Sequence, residues 1–154
     1  MAALPIADYA DLTGGELGVS DWIAIDQDRI DRFAACTGDH QYIHVDPERA
    51  RASPFGSTIA HGFLILSLLA PMGRDVPVPE GVVLNVNYGL NKVRFISPVP
   101  VGSRIRGRFA LAAFELVGPR QIQSAMTVTV EIEGAAKPAL VAEWLVRRHF
   151  AADL

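Results

Sequence analysis

The sequence predicts an α+β fold, with one long central helix wrapped by a curved antiparallel β-sheet. Three features of the chain point there. The stretch from Ile59 to Leu69 (IAHGFLILSLL) is apolar nearly all round, as suits a helix buried on most sides. After Pro71 the character changes to runs of β-branched and aromatic residues between Gly and Pro punctuation. Those runs are long and joined by short breaks, which makes neighbours antiparallel. A sheet curled around the helix is the simplest arrangement that hides both apolar surfaces.

Each element has its own local reason. Residues 19–25 (VSDWIAI) alternate loosely as an opening strand. Asp26 is placed to cap a helix running through about Thr37, with Ile30, Phe33 and Ala34 on one face, and Gly38 ends it. From Gly38 to His44 the chain is polar and reads as a loop. Pro47 after Asp46 suggests a short helix over Glu48 to Ala52, which Ser53-Pro54-Phe55-Gly56 breaks. The central helix comes next. Then come VVLNVNY, KVRFI, SRIRGRFALAAFEL, IQSAMTVTVEIE and ALVAEWLVRRHF, four or five strands, with turns at Val117-Gly118-Pro119 and near Gly134.

Length and composition fit one domain over residues 1–154: half of the chain is hydrophobic, enough to build a core, and no repeat or linker-like run divides it. With 14 Lys and Arg against 17 Asp and Glu, nothing suggests a nucleic-acid footprint or a polybasic membrane patch. The single cysteine, Cys36, cannot form an internal disulfide, and no Cys/His cluster has the spacing of a zinc site. The N-terminus lacks a basic segment followed by an apolar run, and no stretch approaches a membrane span. The chain therefore reads as cytoplasmic and soluble.

Chemistry concentrates between Phe33 and Pro47. Asp39 and His44 stand five residues apart on the polar loop just before the buried helix. A carboxylate and an imidazole flanking one water can divide its activation, one group polarising the oxygen and the other handling the proton. On spacing alone the plainer reading is that Asp39 caps a turn and His44 is a satisfied, partly buried histidine. Ala60-His61-Gly62 shifts the balance, because a glycine in the first turn of an apolar helix presents a free N–H to a ligand oxygen.

The G-D-x-Q-x-I-H-V-D-P run at 38–47, followed by I-A-H-G-F at 59–63, resembles the MaoC-like, (R)-specific enoyl-CoA hydratase family. Asn87 to Phe95 and the Pro98-Val99-Pro100-Val101-Gly102 turn extend the likeness over roughly residues 20–148. The resemblance implies a hot-dog fold, usually a homodimer with its substrate tunnel near the dimer interface. It implies that Asp39 and His44 are the catalytic pair and that the N–H of Gly62 binds the substrate's thioester carbonyl. The reaction implied is addition of water to a trans-2-enoyl thioester, on coenzyme A or an acyl carrier protein, giving the (R)-3-hydroxyacyl product. Neither a metal nor a redox cofactor is needed, because the thioester itself accepts the developing charge. Some family members carry a serine eight residues after that glycine, where this chain has Ala70; Ser67 lies nearly one helical turn earlier.

Other polar residues read more plainly. Gln41 suits a loop hydrogen bond, and His61 suits packing or a bond to a neighbouring loop. His40 and His149 have no evident partner. Asn85, Asn87 and Asn91 are expected to satisfy backbone groups at a bend or a dimer edge rather than to line a tunnel. Lys92 and Arg94 belong to the same basic group as Arg104, Arg106 and Arg108; the last three share one strand face, either solvated or meeting coenzyme A phosphates. Two further functions fit the fold: a non-catalytic acyl-thioester binding or dimerisation module, and thioester hydrolysis. A pure binding module has no use for a proton-transfer pair.

Overall fold

The computed structural model describes residues 3–154. Its frame is one antiparallel sheet. The strands β2 (Glu16–Val19), β3 (Ile23–Ile25), β5 (Val82–Phe95), β6 (Ser103–Gly118), β7 (Gln121–Ile132) and β8 (Leu140–Phe150) lie in the order β2-β6-β7-β8-β5, with β3 also paired to β6. A separate parallel pair joins β1 (Ala3–Leu4) to β4 (Val78–Pro79), next to the short helix α1 (Ile6–Asp11). Period-two alternation sets the inner face. Along β8, Leu140, Ala142, Trp144 and Val146 are buried while the residues between them are half-buried.

The opening strand is broken where the sequence reads it as one. Ser20 accepts the Gly107 N–H on its own hydroxyl (2.9 Å), in place of a main-chain carbonyl, and the ladder is interrupted between β2 and β3. Conversely, VVLNVNY and KVRFI form one strand, β5, whose register shifts at Asn87/Gly89 and Leu90/Lys92 absorb the irregular stretch between them. Helix α2 (Gln27–Thr37) matches expectation: Asp26 accepts from the Arg29 N–H, and Gly38 closes the helix at φ 79°. So does α4 (Pro47–Arg51), capped by Asp46.

The central helix begins later than the apolar run suggests and comes in pieces: α5 (Gly62–Ser67), α6 (Leu69–Met72) and a 3₁₀ turn over Gly73–Asp75. Residues 59–60 are held extended instead, because Ile59 bridges Pro100 and the Ala60 N–H bonds the Val99 carbonyl at 2.8 Å. Pro71 explains the break, since it has no N–H to give the Ser67 carbonyl. Leu64, Ile65, Leu68, Leu69 and Met72 are buried in the core, while Phe63, Ser67 and Ala70 leave one side of the helix open. Close approach of helix and sheet depends on Gly107, where a Cβ would stand 2.7 Å from the Phe109 ring and 3.2 Å from Met72.

Candidate active site

His44 lies not on a loop but on a single helical turn, α3 (Tyr42–Val45), and is buried. Its Nδ1 is 2.7 Å from the Ile59 carbonyl oxygen. A carbonyl only accepts, so Nδ1 carries the proton and the neutral ring presents its lone pair at Nε2. The Ile59 N–H in turn bonds the Ile43 carbonyl at 3.0 Å, which fixes the acceptor to the segment that carries the imidazole. Burial holds the His44 pKa below its ordinary 6.5, helped by neighbouring His61; the Ile59 bond and the Asp39 charge pull the other way.

Asp39 lies in the exposed stretch between α2 and α3, its carboxylate accepting from the Gln41 N–H at 3.4 Å. His61 ties this stretch to the helix entrance: its Nε2 donates to the Asp39 carbonyl at 2.9 Å. The His61 ring stacks on His44, with centroids 3.8 Å apart and planes inclined by 24°. One side-chain atom each from Asp39, His44 and His61 lies within 4.8 Å of the others. A metal ion would need lone pairs that converge. Those of two stacked rings run side by side, and the free Nδ1 of His61 is buried without a partner. One water suits Asp39 and His44 better, since two hydrogen bonds of about 2.8 Å meeting at its oxygen span roughly 4.5 Å.

Gly62 is the first residue of α5, so its N–H is one of the helix's free first-turn donors. It shares with His44 a cavity of about 290 Å³, walled by Ile59, Ile65, Phe95 and Val99. Asp39 stands beside His44 but does not line that cavity. A Cβ on Gly62 would meet the Phe95 ring at 3.1 Å, so a larger residue there crowds the pocket wall. Ala70 does not line this cavity, and the Ser67 hydroxyl is turned back onto the Leu64 carbonyl at 2.7 Å. Ser97 is the hydroxyl residue among the described residues of the lining.

Gln27 is a supporting residue with no motif to announce it. Its amide nitrogen donates to the His44 carbonyl at 2.8 Å and its amide oxygen accepts from the Thr58 hydroxyl at 2.6 Å. The asparagines divide: Asn91 reaches Glu143, while Asn85 and Asn87, which do lie on the edge strand β5, also line a cavity, contrary to expectation. Arg104, Arg106 and Arg108 do share a face, where they pair with Glu133, Glu131 and Glu16. Their charges are thus matched within the chain.

Residues 8–135 match the family model described as a MaoC like domain. The chain is 54% identical over 142 residues to 3-hydroxyacyl-thioester dehydratase Z of Mycobacterium tuberculosis, covering 92% of this chain and 94% of that protein. It is 51% identical over 152 residues to nodulation protein N of Rhizobium leguminosarum bv. viciae, covering 97% and 94%. Among solved structures, the (R)-hydratase of A. caviae superposes with a TM-score of 0.67 at 24% identity, covering 84% of this chain and 96% of that one, and shares the hot-dog fold. The buried helix, the curved sheet and the 38–63 motif region are therefore those of a MaoC-like domain, and the chain belongs to the MaoC-like dehydratase and hydratase family.

Proposed function

We propose that this protein hydrates trans-2-enoyl thioesters to (R)-3-hydroxyacyl thioesters, and dehydrates them in reverse, with Asp39, His44 and Gly62 as its working residues. The observation that carries this is the convergence of the Asp39 carboxylate with an imidazole whose tautomer is set by Ile59, beside the cavity that Gly62 opens onto. A relative named as a 3-hydroxyacyl-thioester dehydratase supports it.

In this reading the thioester carbonyl accepts a hydrogen bond from the Gly62 N–H, and Asp39 and His44 hold one water beside C3. As the water oxygen bonds to C3, His44 Nε2 takes the proton it loses, and the C2–C3 π electrons move onto the carbonyl as an enolate. The imidazolium then returns that proton to C2 on the same face. Addition is syn, and no cofactor enters the balance. Asp39 orients the water and steadies the transient charge on His44. The carrier is coenzyme A or an acyl carrier protein.

A homodimer belongs to the same proposal. Strand β5 ends the sheet with an unpaired edge and exposes Val83, Leu84, Val86, Tyr88 and Leu90, while Phe63 lies bare on the open side of the helix.

The test is hydration of crotonyl-CoA followed by loss of enoyl absorbance, with product stereochemistry determined. Asp39→Asn and His44→Ala, each folded like the parent, are expected to slow the reaction by roughly 10²–10⁴-fold. Parent-like rates in both sink the assignment. Acyl-thioester binding without turnover identifies a binding module, and release of free CoA identifies hydrolysis.

A further inference from the structure

Arg148 breaks the inward ladder of β8. It follows Val146 and precedes Phe150 on the buried face, and only 3% of it is exposed. Among the described residues no carboxylate pairs with it. One terminal nitrogen donates to the Ser124 hydroxyl at 2.7 Å, its guanidinium lies 5.4 Å from the Tyr9 ring centroid, and its Nε is buried without a partner. A buried charge without a counter-ion is costly, and the usual remedy is an acceptor of opposite charge.

The surroundings are prepared for one. Arg148 lines a cavity of about 240 Å³ together with Asn85, Asn87 and exposed Arg74. The Trp144 indole N–H donates to Asn87 Oδ1 at 2.8 Å, which leaves the amide NH₂ of Asn87 as a donor. The rest of the wall is apolar, with Val76, Met126 and Val146. One buried guanidinium, an amide and an apolar wall match a singly charged, planar carboxylate on a hydrocarbon body.

A groove covers most of the way from the reaction end. A groove between the helix and β5 shares Ala70, Asn87 and Trp144 with the Arg148 cavity. At its other end Phe63 packs edge-on against Phe95, which walls the His44 cavity. An unbroken helix from Gly62 to Gly73 would rise about 16 Å, a distance on the scale of an acyl chain.

We infer that the Arg148 cavity binds a carboxylate, either the far end of an ω-carboxyacyl thioester or a free small carboxylate. The first source rests on the proposed function; the second does not. Two measurements separate them. In the first, thermal denaturation at constant ionic strength follows the parent and Arg148→Met with acetate, hexanoate or adipate against chloride. A saturable rise in Tm is expected for the parent alone. In the second, kcat/KM is compared for 2-enoyl-CoA esters of matched chain length ending in methyl or carboxylate. If the carboxylate belongs to the substrate, the parent favours the carboxylate ester by about tenfold to a hundredfold, and Arg148→Met brings that ratio to one.

Stabilisation without a substrate preference assigns the site to a free carboxylate. Neither effect in the parent, or both effects surviving in Arg148→Met, overturns the inference. Arg148→Lys, which loses the planar fork, replaces Arg148→Met should that variant fail to fold. If the catalytic reading is wrong, neither ester turns over, and the thermal measurement still decides.

Discussion

His44 is where protonation and fold meet. Its pKa is lowered in the native protein chiefly by burial, so the unfolded chain takes up a proton first as pH falls. The contribution of this group to stability is complete above pH 6.5 and declines as the pH drops below 6.5 towards the native pKa. Denaturant titrations at a series of pH values should show that decline in the parent and a shallower one in His44→Gln. The same shift keeps Nε2 a base at pH values where a free histidine is half charged, so the acid limb of kcat/KM for hydration is expected below pH 6.5. An acid limb at or above 6.5 counts against His44 as the base. Asp39, His44 and Gly62 were readable as candidates because their motif is local. Arg148 was not: its inward position depends on strand phase and on Ser124 and Tyr9, which are distant in sequence.

At the level of elements, the site is fastened by short segments rather than by the sheet. Gln27 opens α2, and its amide joins that helix to the His44 carbonyl on α3 and to Thr58 ahead of α5. Gln27→Leu keeps the volume but leaves the partly buried His44 carbonyl and Thr58 hydroxyl short of a partner. A loss of about 1–3 kcal/mol in unfolding free energy is expected from denaturant titration. A loss below a few tenths would show that water replaces the amide. Capping and turn chemistry made α2 and α4 legible, since Asp26, Gly38 and Asp46 act on immediate neighbours. The central helix was legible in kind but not in its bounds. Ile59 and Ala60 are apolar like the helical residues from Phe63 to Leu66, and it is their bonding to Ile43, His44, Val99 and Pro100, distant in sequence, that draws them out of the helix.

For the whole molecule, the strand order puts β5 at one rim of the sheet, with bare apolar side chains on it. Sedimentation is expected to give twice the chain mass, and Leu84→Lys with Val86→Lys to shift it towards the single chain. A parent that sediments as a monomer removes the dimer from the proposed function. The curled sheet itself was foreseeable from alternation and turns, whereas the order of its strands was not, because pairing partners are chosen by long-range packing. That order also ranks the strands by the loop each must close. Strands β6, β7 and β8 pair with their sequence neighbours across short turns, while β5 must wait for β8, with Val82 meeting Phe150 across almost half the chain, and β2 must wait for β6, with Glu16 meeting Ala110 across more than half of it. Assembly of the meander therefore precedes docking of β5 and of β2 and β3, and during refolding the sheet's apolar flanks stay sticky until those strands arrive, so recovery of native protein should fall as the chain concentration is raised.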